Sequence, residues 1–300
     1  MAARTSLHGV IRHRVVHPLQ AAGAYLAFTV LRLIPLAWAS AVGGWLGRTF
    51  GPYLGITSRA RRNLSLAFPE KTKSEIEAII AAMWDNLGRT AFEYPHLDRL
   101  RFYDDGGDVE VLNPEHIDAL KNDGKAGIFF SAHLANWEVA ALGAVRRGLP
   151  IHLIYRAPNN PWVDRLFHHR LPGDSEMIPK GSIGAKRAIK MLTSGEHLGM
   201  LVDQKMNDGI AVPFFGRDAM TAPALALFAL KYDCPVVPAR VERLKGARFR
   251  ITVFPPLEIV RTGDIHSDIL ANMTRVNAMI ESWIREKPEQ WLWLHNRWPE

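Results

Sequence analysis

The chain has 300 residues, 48% hydrophobic and 22% charged, which is ordinary globular usage and excludes wholesale disorder. Its formal net charge of +7 suits an anionic membrane surface, a phosphorylated substrate or nucleic acid. Cys234 is the single cysteine, so neither an intramolecular disulfide nor a cysteine-rich zinc site can form.

The N-terminus is basic, with Arg4, Arg12 and Arg14 among His8, His13 and His17. An apolar stretch follows over residues 19–47, interrupted by Arg32 and Pro35. Neither side of that break reaches the roughly 20 apolar residues of a spanning helix. No small-residue cleavage site ends a compact apolar core, as a secretory signal would require. Three arrangements fit: one tilted span that tolerates Arg32, a pair of helices in the headgroup layer, or helices packed on the domain core. Arg48, Arg59, Arg61 and Arg62 come soon after and would sit well against anionic headgroups. The organisation expected is a membrane-associated N-terminal part, residues 1–60, followed by one α/β domain, residues 61–300.

Over residues 69–96, Ile76, Ile79, Ile80, Met83 and Leu87 recur at helical spacing, with Thr72 or Ser74 placed to cap the start. Residues 103–112 read as a turn into a short strand. Beyond them helices and strands alternate. Helices are expected over 113–122, 137–147, 160–170, 182–194, 223–232 and about 268–286. Strands are expected over 127–132, 150–155, around 177–178, 198–203, 236–243 and 248–254. This pattern predicts a mainly parallel central sheet covered by helices on both faces. Ligands of such sheets bind beyond the carboxyl ends of the strands, and two predicted strands end at His133 and Asp203.

The sharpest motif is SAHLANWE, residues 131–138. A histidine can take a proton from a hydroxyl, and a carboxylate on its other ring nitrogen fixes the tautomer and stabilises the imidazolium. His133 and Glu138 would stand about 140° apart on one continuous helix. They can meet only if His133 lies in a strand-to-helix turn and Glu138 in the first turns of the helix. The plainer reading is a histidine that ends a strand and a glutamate at a helix start, where negative charge is favoured anyway. No HExxH pattern competes, and His152, His168, His169 and His197 lack paired ligand spacing. No serine sits in G-x-S-x-G. GSIG at 181–184 lacks the lysine and hydroxyl of a phosphate-binding loop. Neither a metal nor a cofactor is expected.

Taken together, HLANWE, IYRAPNNPWVD (154–164), IPKGS (178–182), the block from Leu201 to Leu230, PEQWLWLHNRW (288–298) and NLSLAFPE (63–70) resemble the lipid A biosynthesis acyltransferases, the lauroyl/myristoyl enzymes of the glycerolipid acyltransferase superfamily. The resemblance runs from about residue 20 to the end. It implies an enzyme on the cytoplasmic face of the inner membrane. It implies an acyl carrier protein thioester as donor and a lipid A precursor as acceptor. Mycobacterial mannoside acyltransferases share the blocks, so the reaction type is better specified than the acceptor. A single span would carry the catalytic domain away from cytoplasmic thioesters, which favours helices lying on the membrane lipids.

Position by position, the resemblance implies His133 as general base and Glu138 as its partner. It assigns Arg156 to an acceptor phosphate or polar head, and Asp203 to organising Arg156 or the acceptor. Gln204 and Lys205 are implied as further contacts, with Arg217 and Lys180 as phosphate contacts. Backbone N–H groups at the start of the 135–147 helix are the expected oxyanion donors. Residues 19–47 and the Phe pairs at 129–130 and 214–215 are candidates for an acyl groove. Two rival classes stay open: a lipid-binding scaffold, for which His133 would be dispensable, and a nucleic-acid binder. No recognition motif gathers the positive charge, so no nucleic-acid partner is expected.

Overall fold

The computed structural model describes residues 12–168, 171 and 173–298; Arg4, His8 and His169 lie outside the described residues, as do positions 169–170 of the helix expected over 160–170. The N-terminal part holds α1 (His17–Leu33), α2 (Leu36–Phe50), α3 (Thr57–Ala67) and α4 (Lys73–Glu93). Strands and helices then alternate as β1 (Val109–Leu112), α5 (Glu115–Asn122), β2 (Gly127–Ser131), α6 (Val139–Arg146), β3 (Ile151–Tyr155), α7 (Pro161–His168), β4 (Met177–Pro179), α8 (Ser182–Thr193) and β5 (His197–Leu201). A hairpin of β6 (Lys205–Phe214) and β7 (Arg217–Thr221) precedes α9 (Ala224–Tyr232), β8 (Val236–Lys245), β9 (Arg248–Val253) and α10 (Ile265–Glu286).

The main sheet has seven strands in the order β1-β9-β8-β2-β5-β3-β4, and every neighbouring pair is parallel except β8 with β9. The expected α/β class with a mainly parallel sheet is therefore found. Period-2 alternation along β2 sends Ile128 and Phe130 into a core beneath α4, α9 and α10, and Phe129 into a second core beneath α6. Both faces are covered, as a parallel sheet requires. The antiparallel β6–β7 hairpin was not expected. Its residues are mostly half-buried or exposed, with no clean apolar alternation, and the register shifts between Lys205 and Ile210.

Local chemistry explains where the long helix of the N-terminal part begins and ends. Thr72 and Glu75 form a reciprocal capping box at the start of α4, and Pro95 stands in the 3-10 turn that follows Glu93. Ile76, Ile80 and Met83 are buried along one face of α4, as the periodicity predicts.

The apolar stretch 19–47 forms two helices of 17 and 15 residues, about 26 and 23 Å long at 1.5 Å per residue. Both fall short of a bilayer core, and among the described residues no helix is long and apolar enough to cross a membrane. Each helix is two-sided. On α2, Ala39, Ser40, Gly43 and Gly44 are buried. A Cβ at Gly47 would lie 2.0 Å from the Trp84 carbonyl oxygen, and one at Gly88 would lie 2.1 Å from that of Gly43, so these glycines let α2 and α4 touch along their backbones. The other side leaves Trp38 69% exposed, with Trp45 and Phe50 beside it on α2 and Leu26 and Leu33 bare on α1. Arg32, which breaks the apolar run, is held by Asp98 at 2.6 and 2.8 Å and by the Pro95 carbonyl at 2.6 Å.

One buried ion pair ties these helices to the sheet. Arg243 of β8 grips the Glu93 carboxylate at 2.5 and 3.0 Å, Ser40 donates to the same carboxylate at 2.6 Å, and Asn136 donates at 2.9 Å. With both partners almost fully buried, Glu93→Ala strands a guanidinium in the interior. We expect a loss of about 3–5 kcal/mol in chemical denaturation; a loss near zero would contradict this role.

Candidate active site

His133 and Asp203 meet because two neighbouring parallel strands end level. Ser131 of β2 is in register with Leu201 of β5, and the functional side chain stands two residues beyond the end of each strand. The Asp203 carboxylate takes three hydrogen bonds. Oδ1 accepts from His133 Nδ1 at 2.8 Å. Oδ2 accepts from the His133 backbone N–H at 2.8 Å and from Trp291 Nε1 at 2.7 Å. Burial alone would push this carboxyl up. Electrostatic attraction to His133 and these three bonds outweigh it and hold Asp203 well below the ordinary carboxylate range.

An ionised carboxylate only accepts, so His133 Nδ1 carries a proton, and in the neutral ring Nε2 presents a lone pair. That lone pair accepts from Gln204 Nε2 at 3.2 Å. Both ring nitrogens are thus engaged by residues other than Glu138, which corrects the expectation that Glu138 steadies the imidazole. Asp203 takes that place instead of organising Arg156. Glu138 precedes α6 at its N-cap position without a side-chain capping bond, accepts from Trp137 Nε1 at 3.0 Å, and lines the same cavity as His133.

The turn between β2 and α6 is built by long-range contacts. Ala135 adopts φ +51°, rare for a residue with a Cβ. Its carbonyl accepts from Asn86 and Thr90 of α4, both at 3.1 Å, and its N–H donates to the Gln290 carbonyl at 2.8 Å. The C-terminal segment closes the loop from below, with Leu292 N–H on the His133 carbonyl at 3.1 Å.

A cavity of about 330 Å³ opens at His133. Its polar lining includes Glu138, Arg156, Lys180, Gln204 and His295. Its apolar lining continues under α6 along the sheet, through Phe129, Leu153, Gly199 and Ala239. Arg156 follows β3 and Lys180 follows β4, both beyond strand ends. Desolvation lowers the Lys180 pKa and Arg156 repels its charge, against the pull of Asp203. The arrangement pairs a base aimed at a cleft with cations at the opening and an apolar recess. That suits removal of a hydroxyl proton beside an apolar chain.

A family model described as bacterial lipid A biosynthesis acyltransferase matches residues 13–300. The chain belongs to that family. It is similar to a lipid A biosynthesis lauroyltransferase of Escherichia coli K12, 26% identical over 79% of this chain and 76% of the relative. A lipid A biosynthesis myristoyltransferase of the same organism is 25% identical over 91% and 85%. A phosphatidylinositol mannoside acyltransferase of Mycolicibacterium smegmatis is 22% identical over 92% and 90%.

Within this acyltransferase fold, His133, Glu138, Arg156, Lys180 and Gln204 line one cavity, and Asp203 sits behind His133. Lys205 contributes its backbone N–H, which donates to His295 Nε2 at 3.0 Å. Arg217 does not join them; it lines a separate groove with Arg62, Asp218 and Trp298. Of the Phe pairs, Phe129 and Phe130 line the cavity. Phe214 and Phe215 instead pack against the tail tryptophans, and no residue of 19–47 lines the cavity. The expected oxyanion donors at the start of α6 are partly spent: the N–H groups of Val139 and Ala140 bond the carbonyls of Asn136 and Trp137 at 3.1 and 3.3 Å.

Three contributors were missed, all in the block PEQWLWLHNRW. Trp291 donates to Asp203 and His295 lines the cleft. Arg297 is fully buried with its guanidinium 4.9 Å from the Phe214 ring centroid, donating to the Met220 carbonyl and Thr221 Oγ1. Burial pushes Arg297 down to about 10, while Asp203 pulls it up. The only signal for these residues was the block's match to the family pattern.

Proposed function

We propose that this chain transfers a fatty acyl group from an acyl thioester to a hydroxyl of a lipid A precursor, with His133 as general base. The observation that carries the reading is the imidazole itself: Nδ1 is tied to the buried Asp203 carboxylate, and Nε2 meets Gln204, which lines the cavity with His133. The acceptor hydroxyl replaces Gln204 at Nε2 and loses its proton there as its oxygen attacks the thioester carbonyl. Asp203 steadies the imidazolium. The imidazolium then returns the proton to the departing thiol. The apolar recess takes the acyl chain. Glu138 faces the acceptor, and Arg156 and Lys180 hold its phosphate by charge-assisted bonds.

An acyl carrier protein is the donor in this reading. The bare apolar sides of α1 and α2 lie in the headgroup layer at the cytoplasmic face of the inner membrane. Support comes from their exposed Leu26, Leu33, Trp38 and Trp45, and from the basic residues Arg48 and Arg59 nearby. Arg217 in its separate groove is a second phosphate contact.

The test is direct. The protein, in membranes, is incubated with labelled acyl carrier protein thioester or acyl coenzyme A and one acceptor at a time: a lipid A precursor, a phosphatidylinositol mannoside or an ornithine lipid. Mass spectrometry then locates the new ester. An ester on the lipid A precursor is expected; one formed only on another acceptor overturns the acceptor assignment. Arg156→Ala is expected to raise KM for a phosphorylated acceptor about tenfold and to change KM for the thioester little. Equal effects on both would count against its role.

A further inference from the structure

The mouth of the cavity contains a second histidine that the mechanism above does not use. His295 lies in the C-terminal segment that closes the active-site loop, and lines the cavity together with His133. Its Nε2 accepts the Lys205 backbone N–H at 3.0 Å. A ring whose Nε2 accepts must, when neutral, carry its proton on Nδ1. That N–H has no hydrogen-bond partner among the described residues. Burial pushes the ring's pKa down to about 4, with His133, Arg297 and Lys180 adding to it against Asp203, so the imidazole is uncharged at neutral pH. A neutral imidazole held in one tautomer is a fixed electrophile: it donates one hydrogen bond and competes for no proton.

The reaction needs such a donor. Attack on a thioester places negative charge on the carbonyl oxygen, and donors aimed at that oxygen supply a large part of catalysis. Two of the N–H groups at the start of α6, those of Val139 and Ala140, are bonded internally. Gln204 occupies the lone pair of His133, where the acceptor hydroxyl must bind. His295 and Gln204 flank the same turn, His295 on the N–H of residue 205 and Gln204 one residue earlier on His133.

We propose that His295 is a catalytic residue whose Nδ1–H binds the thioester carbonyl oxygen and stabilises the oxyanion. This rests on the acyl-transfer reading above. As the acceptor oxygen bonds to the carbonyl carbon, its proton passes to His133 Nε2 and the carbonyl π pair moves onto the oxygen held by His295. Collapse restores the carbonyl, breaks the carbon–sulfur bond, and the sulfur takes the proton back from His133.

Two variants and one spectrum test the assignment. His295→Phe keeps the ring's bulk without a donor, whereas His295→Gln can accept from Lys205 and still donate. With whichever lauroyl thioester the wild type turns over, His295→Phe should lower kcat about 100-fold, with both KM values within about threefold. His295→Gln should recover about tenfold of that loss. Wild-type kcat in His295→Phe, a loss confined to KM, or a Gln variant no better than Phe would overturn the proposal.

If the Phe variant does not fold, the spectrum decides. In His133→Asn protein, which keeps His295, a bound thioester labelled with carbon-13 at its carbonyl should show a carbonyl stretch at lower wavenumber than in solution. The shift should shrink in the His133→Asn/His295→Gln double variant. An unshifted band with His295 intact refutes the contact. Normal transfer by His133→Ala would sink the base assignment instead, and leave the kinetic result for His295 standing.

Discussion

His133→Ala is expected to lower acyl transfer by about 10²–10⁴-fold at saturating substrates, with the protein still folded. The effect is large because the His133 lone pair, backed by the buried Asp203 carboxylate, is the base on which the proposed proton transfer rests. His295 Nε2 is taken by the Lys205 N–H. Folding should survive because Asp203 keeps two donors, the backbone N–H of residue 133 and Trp291 Nε1. Losing the third leaves a buried carboxylate oxygen short of one hydrogen bond, a cost of about 1–3 kcal/mol. His133→Asn separates the two effects. Its amide can donate to Asp203 as Nδ1 does, so it should be as inactive as the alanine variant and more stable. Parallel rates and melting curves of wild type, Ala and Asn measure this. Activity within about tenfold of wild type in either variant would remove His133 from the chemistry.

Asp203→Asn is expected to cost transfer about as much, by another route. The carboxylate is surrounded by donors only: Nδ1–H and the backbone N–H of His133, and the indole N–H of Trp291. An amide brings an NH2 group against one of them. The relief open to His133 is to give up its Nδ1 proton, accept from the new amide, and carry the proton on Nε2. The cleft would then face an N–H where it needs a lone pair, so turnover should fall about 10²–10⁴-fold while thioester binding changes little. Glu138→Gln makes the contrast. Both His133 ring nitrogens are bonded to Asp203 and Gln204, so Glu138→Gln should leave the tautomer as it is. A Glu138→Gln protein with its histidine tautomer switched, or an Asp203→Asn protein with full turnover, would reverse the assignment.

The layout of the sheet was legible because each strand is short, apolar and followed by helical spacing, and two chemically loaded residues fell at predicted strand ends. Strand order was not legible. The pairing of β2 with β5, which brings position 133 to position 203, depends on which crossover packs where, and local periodicity does not carry that. Hence the sequence offers the nearer carboxylate, Glu138, as the partner. Separation in sequence misled because Ala135 turns the chain through a left-handed conformation held by α4 and by Gln290.

The hairpin over residues 205–221 was unread because half-buried strands with a register shift lack a clean period. The tail over 288–298 has no regular period either, and its work is done by single long-range bonds, Trp291 to Asp203 and His295 to Lys205. In the N-terminal helices, composition showed apolar residues but not which would be covered. Gly43, Gly47 and Gly88 decide that by letting two backbones touch.

The most direct test reads the tautomer of one ring. In protein labelled with nitrogen-15 on its histidines, with His133 assigned by its disappearance in His133→Asn, the two ring nitrogens report separately which one carries the proton. For the neutral ring the account predicts a protonated Nδ1 and a bare Nε2, inverted in Asp203→Asn and unchanged in Glu138→Gln. A bare Nδ1 and protonated Nε2 in the wild type would contradict it, because no lone pair would then face the acceptor hydroxyl.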